Sequence, residues 1–88
     1  MPKFTEKVAN ALSLPKEIVL DFPVVTAVGQ GEISIENYKS LLEFTGAQIR
    51  VRTGTGTIVI AGDNLVLRQI TLESLQITGQ VSGILWTV

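Results

Sequence analysis

Apolar and polar residues alternate with a period of two along most of the chain after Pro15. The alternation is clearest in 32–36 and 48–52, where Ile and Val point to one face and charged residues to the other. Segments of this kind begin 6 to 11 residues apart and are bounded by turn residues, which leaves no room for helices between them. The pattern predicts an all-β fold of short antiparallel strands that form a small sandwich, roll or barrel; the alternative is a solenoid-like stack of β rungs. The predicted strands are 18–21, 24–28, 32–36, 40–45, 48–53, 57–61, 64–70, 75–79 and 82–87.

The inward phase of these strands predicts the hydrophobic core. Segments 58–60 and 65–67 are apolar at every position, so we expect both of their faces to be covered. The inward register slips by one residue across Arg68 and Gln69, which predicts a β-bulge there. Two glycine-containing segments, 53–57 and 62–64, are predicted to be turns. The expected core residues are Ile33, Ile35, Phe44, Ile49, Val51, Ile58, Ile60, Leu65, Leu67 and Ile77.

The first 13 residues have a different period. Phe4, Val8, Ala11 and Leu12 recur at helical spacing and would form one apolar stripe. Pro15 ends this pattern, because the residue before a proline is pushed out of the helical region. The sequence therefore predicts an amphipathic helix over 1–13, followed by a single β domain over 14–88. The helix either covers an open end of the core or is a docking or membrane-surface helix.

The composition excludes most catalytic chemistry. The chain of 88 residues contains neither Cys nor His, so thiolate nucleophiles, imidazole bases and the usual zinc ligands are missing. Seven basic residues balance eight acidic ones, which gives no field for binding nucleic acid. No apolar run is long enough to cross a bilayer and no signal peptide is evident. We therefore expect a cytoplasmic protein that is not an enzyme, with no catalytic residue, cofactor, metal site or direct membrane insertion.

Charge is concentrated in the first part of the chain. Twelve of the fifteen charged residues lie in 1–52, and the last predicted strand has none. An uncharged strand at a sheet edge can recruit another chain, although the same strand could instead complete the core. Two exposed arginines on one strand face either bind an acidic partner or a lipid phosphate, or only keep the surface soluble. The candidate interface residues are Ile84, Leu85, Trp86, Val88, Arg50 and Arg52.

Several motifs resemble a known family. These are Leu14-Pro15-Lys16-Glu17-Ile18, then I-E-N-Y-K at 35–39, I-R-V-R-T at 49–53 and I-V-I-A-G-D-N-L at 58–65. Together they resemble the YabP/YqfC family of sporulation proteins, with the YqfC branch the nearer match. The resemblance implies a small protein of the mother cell of an endospore-forming bacterium that is needed for spore assembly. It also implies a membrane-anchored sporulation partner, and it transfers no active-site residue.

Three function hypotheses follow. The first is a non-enzymatic sporulation protein that binds a membrane-anchored partner at the periphery of the forespore membrane. The second is a structural subunit whose β edges assemble into a homo-oligomer or polymer. The third, an enzyme, has no constellation of residues to support it.

Overall fold

The computed structural model describes residues 21–88, which form six strands in one sheet. The strands are β1 (Val24–Val28), β2 (Glu32–Glu36), β3 (Tyr38–Phe44), β4 (Gln48–Thr53), β5 (Gly56–Ile70) and β6 (Ser74–Thr87). The predicted helix over 1–13 lies outside the described residues, as does all but the last residue of the predicted strand 18–21.

The all-β antiparallel prediction is confirmed. The sheet order is β1-β2-β6-β5-β4-β3, and every neighbouring pair is antiparallel. The described residues therefore form a single open sheet, and neither a two-sheet sandwich nor a stack of separate rungs describes them. Segments 24–28, 32–36 and 48–53 begin and end as predicted. In 32–36 and 48–53 the alternation leaves one wet face and one dry face.

The two central strands are longer than the sequence predicted. The predicted turn at 62–64 is wrong, because the chain continues through it as part of β5. The pairing of β5 with β6 instead shifts register next to Gly62, between Asp63 and Val66, and between Leu67 and Gln69. The last of these shifts confirms the predicted bulge at Arg68 and Gln69. Irregularities of this kind bend a strand without ending it.

The shifts divide the sheet into two halves. The β1 half contains β1, β2, the beginning of β6 and the end of β5, and the β3 half contains the end of β6, the beginning of β5, β4 and β3. Only Asn37 connects β2 with β3, although these strands occupy the second and sixth positions of the sheet. In a flat sheet those positions would be about 19 Å apart, but Glu36 and Tyr38 are separated by two peptide units. The sheet therefore curls until its halves meet at Asn37.

The core lies on the concave face of this curled sheet. Its fully buried side chains are Ile33, Ile35, Ile49, Val51, Ile58, Ile60, Leu65, Leu75 and Ile77, contributed by both halves. Three expectations need correction. Phe44 is 46% exposed, because it lies on the edge strand β3 where no further described strand covers it. Leu67 is only partly buried, and Val66, on the opposite face, is exposed, so the end of β5 is not covered on both faces.

Candidate protein-interaction surface

The six candidate interface residues all belong to the β3 half of the sheet or to the chain end beside it. The register pairs Arg50 with Val59 and Val59 with Leu85, so these side chains lie in one row on the convex face. Ile84 and Trp86 pair with the buried residues Ile60 and Ile58, and therefore lie on the concave face. The structure thus places the candidates on both faces of one region.

The convex face of this region combines apolar and positively charged groups. Leu85 is 60% exposed, and Arg50 lies two strands away in the same row, at about 10 Å. Arg50 and Arg52 both point to solvent, as predicted. We call Arg50, Arg52, Val59 and Leu85 the outer patch.

Sequence reasoning missed Val59, which connects the apolar and charged parts of the outer patch. It was expected to be covered because its neighbours Ile58 and Ile60 are apolar too. Its phase was the available signal, since Val59 must point to the opposite face from both of them. The structure places it half-buried on the convex face.

The two arginines differ in their partners. Arg50 Nη1 lies 3.8 Å from Glu43 Oε1, which also accepts a hydrogen bond of 3.0 Å from Gln48 Nε2. The two groups of this cross-strand pair are half-exposed, so it contributes little to stability. Within residues 21–88, no ion pair involves Arg52. The guanidinium of Arg52 is therefore the more accessible positive charge of the outer patch.

One side of the end of β6 has no strand beside it among the described residues. β2 pairs with Ser74–Thr78, and its loop still accepts hydrogen bonds from the amides of Gly79 and Val81. Beyond that point β6 pairs only with β5. We call the outward side of residues 83–87 the β6 edge. The C-terminal strand is thus central in the strand order, yet its last five residues form an edge among the described residues. Recruitment of another chain by this edge stays a prediction.

The β6 edge carries exposed apolar side chains. Trp86 is 56% exposed and Val88, just beyond the strand, is fully exposed. Ile84 is partly buried against the core. Within the described residues, no charged side chain lies on this segment or on the part of β5 that pairs with it.

The glycine-rich segment 53–57 is a structural turn, as predicted. Thr53 pairs with Gly56 across a two-residue hairpin, and the Thr53 hydroxyl accepts from the Thr55 amide at 3.2 Å and donates to the Gly56 carbonyl at 2.8 Å. Gly56 has φ +138, and a side chain there would meet the Thr87 carbonyl. This turn packs against the end of β6.

A polar depression lies on the β1 half, apart from the outer patch and the β6 edge. It has a volume of about 460 Å³ and is lined by Ser34, Glu36, Asn37, Thr71, Glu73, Ser74, Leu75 and Gln76. Two carboxylates alone make a poor cation site, and in the part of the chain that the structure describes, no three acidic side chains converge on one point.

Comparison with known proteins identifies the family of this chain. The sequence profile of the YabP family matches residues 24–87, which include all six strands. The chain belongs to the YabP family. A relative, "Uncharacterized protein YqfC" of Bacillus subtilis (strain 168), is 33% identical over 72 residues, which cover 82% of this chain and 77% of that protein.

The match to the YabP family includes the outer patch and the β6 edge. Both surfaces lie between β4 and the end of β6, inside the matched residues. Over residues 21–88, the structure contains no helix that is long and apolar enough to span a membrane.

Proposed function

We propose that this protein is a non-enzymatic sporulation protein that acts by binding a membrane-anchored protein partner during spore assembly. The family supports the sporulation setting, through the resemblance described above. The lack of Cys and His supports a role without catalysis. In this proposal the protein works on the mother-cell side, at the periphery of the forespore membrane.

The outer patch is the observation that carries the binding role. Leu85 is a large apolar side chain at 60% exposure in a row that runs through Val59 to Arg50, with Arg52 beside Arg50 on β4. Apolar residues flanked by arginine are typical of protein interfaces. The accessible charge of Arg52 favours a partner segment with an acidic side chain next to an apolar one.

A second candidate function is a structural subunit that assembles through its β edges. The β6 edge favours it, because an uncharged strand edge offers free backbone groups to another strand. The two candidates share Leu85 but otherwise use different groups: the partner would contact Arg50 and Arg52 of the outer patch, and a further copy would contact the backbone of the β6 edge.

The binding role is tested by reversing the charge of the outer patch. The test uses a strain of the endospore-forming source bacterium in which the gene for this protein is deleted and a variant gene is supplied. In this strain the variant Arg50→Glu/Arg52→Glu should capture less of the membrane-anchored partner. We expect counts of heat-resistant spores to fall toward those of the deletion strain, because acidic groups would now face each other. Both are measured in the same cultures, by co-precipitation from detergent-solubilised membranes and by plating after heating.

The matched control is Arg68→Glu, which makes the same kind of charge change on the β1 half. Arg68 is exposed and its Nε donates to the Thr78 hydroxyl at 3.1 Å, away from the outer patch. This variant should sporulate normally. Normal partner capture and spore counts in the double variant would overturn the role of the outer patch, and a deletion strain that sporulates normally would overturn the sporulation setting.

A further inference from the structure

We propose that the β6 edge binds the β6 edge of a second copy of this chain, in antiparallel orientation around a two-fold axis at Leu85. The two sheets would then join into one continuous sheet of twelve strands across both copies. The inference deepens the proposed function, since it rests on the same mode of action by association, and of the outer patch it uses only Leu85, not Arg50 or Arg52.

The backbone of β6 has the orientation that this pairing needs. The carbonyl oxygens of Thr57 and Ala61 point toward β6, where they accept hydrogen bonds from the hydroxyls of Thr87 and Ser82. Because strand residues alternate in direction, Val59 points toward β6 as well, and its partner Leu85 exchanges backbone hydrogen bonds with it.

The neighbours of Leu85 therefore point the other way. The amides and carbonyls of Ile84 and Trp86 are directed outward along the β6 edge. When two copies are centred on Leu85, Ile84 of each copy lies opposite Trp86 of the other. Each such pair exchanges two backbone hydrogen bonds, so the free groups on both edges satisfy one another.

The side chains match in the same register. The concave face receives two cross-copy pairs of Ile84 with Trp86, and pairs of an aromatic with a β-branched side chain are among the favourable cross-strand contacts. The convex face receives Leu85 against Leu85. The pairing would cover the exposed part of Trp86 and extend the row of Ile58 and Ile60 across the two-fold axis.

The β6 edge has no charged side chain, which favours an uncharged binding segment, and the β6 edge of a second copy is such a segment. The nearest charge in the row of Leu85 is Arg50, two strands inward, so the two copies of Arg50 would be about 24 Å apart, at five strand spacings. That separation exceeds the screening length of about 8 Å at physiological salt, so the like charges do not oppose pairing.

Symmetry limits the assembly to two copies. A two-fold interface uses the same surface on both partners and leaves no second copy of it open, so it closes as a dimer. Five residues of strand bury less than the roughly 1,200 Å² of a standard interface, so we expect a weak dimer that forms as concentration rises.

A single introduced cysteine tests the register, since the natural chain has none. Under mild oxidation Leu85→Cys should form a covalent dimer, because directly opposed residues that do not exchange hydrogen bonds have Cα atoms about 4.5 Å apart, within the range for a disulfide. Thr87→Cys is the control. It is exposed on the same face, but its two copies would lie about 14 Å apart along the strands, and it should stay monomeric on a non-reducing gel.

Trp86, the sole tryptophan, reports on pairing without modification. Its emission should shift to shorter wavelength from low micromolar to near-millimolar concentration, in step with the mass from sedimentation. Leu85→Lys should abolish both changes while the far-ultraviolet circular dichroism stays that of a β protein. Val28→Lys changes an equally exposed apolar position on the edge strand β1, and this variant should form the dimer as the unmodified protein does.

Three results would overturn the proposal. They are a monomer at every concentration, equal cross-linking of the two cysteine variants, and a Trp86 emission already blue-shifted at low concentration, which would mean that another part of the same chain covers the β6 edge. All these measurements use the purified protein alone. The partner test changes Arg50 and Arg52 in sporulating cells. A result against the dimer therefore does not decide the partner test, and a result against the partner does not decide the dimer test.

Discussion

At the level of single residues, isoleucine is the main component of the buried core. Six of the nine buried side chains are Ile, and they come from β2, β4, β5 and β6. β-Branched side chains lose little freedom in an extended backbone and fill a pleated surface well. Ile60 pairs with Ile49 on one side and Ile84 on the other, so it lies in the middle of a continuous apolar row.

Replacing Ile60 by Ala should lower the free energy of unfolding by about 2 to 5 kcal/mol, since the neighbouring strands cannot collapse into the space left behind. Urea unfolding followed by circular dichroism measures this. Ile70→Ala is the control, because Ile70 is 56% exposed and its truncation should cost far less. Equal losses in the two variants would contradict the central place of Ile60 in the packing.

Alternation predicted the direction of a side chain better than its burial. Phe44 has the inward phase, opposite Ile49, yet it remains exposed because β3 is an edge strand. Leu75 is fully buried and was not among the expected core residues, although its position two residues before Ile77 gives the same phase. Direction follows from local sequence, whereas burial depends on which strands lie alongside.

At the level of elements, the irregular pairing of β5 with β6 shapes the molecule. Gly62 lies at one register shift, against the Gln80 carbonyl, and Asn64, with φ +53, lies within the next. The sequence Gly62-Asp63-Asn64 predicted a chain reversal because turns and bulges need the same residues. Which of the two forms depends on the distant strand β6, which local sequence does not contain.

Gly62→Ala should destabilise the fold by about 1 to 3 kcal/mol, the typical cost of overpacking. A side chain at this position would collide with the Gln80 carbonyl oxygen and contact Leu65 at 3.1 Å. The matched control is Gly83→Ala, on the same pair of strands, where an added methyl group meets nothing within 4 Å. Thermal unfolding in dilute solution should show a lower midpoint for the first variant only; similar midpoints would mean that the strands can separate at Gly62 without cost.

At the level of the whole molecule, the two halves of the sheet are joined at the corner formed by Asn37. Asn37 has φ +62, its amide donates to the Glu73 carbonyl at 2.7 Å, and its side-chain amide donates to the Phe22 carbonyl at 2.9 Å. Next to it, the Tyr38 hydroxyl donates to the Thr71 carbonyl at 2.6 Å, between β3 and the turn that follows β5. Asp21 and Lys39 form an ion pair of 3.0 Å at the same corner. These contacts stabilise the curled shape of the sheet, in which side chains of both halves pack into one core.

The corner explains what the sequence could and could not predict about the candidate surface. The uncharged last strand and the arginine pair were visible as composition and spacing. Their placement on the two faces of one region was not, because it depends on β6 pairing with β2 along its first part and only with β5 along its last. The β6 edge exists because β2 begins at Glu32, opposite Thr78, where the chain has just turned from β1, so β2 does not reach residues 83–87.

Tyr38→Phe should therefore loosen the corner without disturbing either half. It removes the hydroxyl that bonds to Thr71 and keeps the ring that packs against the core, so we expect a loss of about 0.5 to 1.5 kcal/mol in unfolding free energy. Hydrogen exchange at the Asn37 amide should become faster, because its bond to Glu73 lies at the same corner. Ser82→Ala is the control: it removes a 3.2 Å hydroxyl bond to the Ala61 carbonyl between two strands that are already paired, and the Asn37 amide should then exchange at its original rate. Unchanged exchange at Asn37 in Tyr38→Phe would show that the connection through Asn37 holds the curl without the tyrosine.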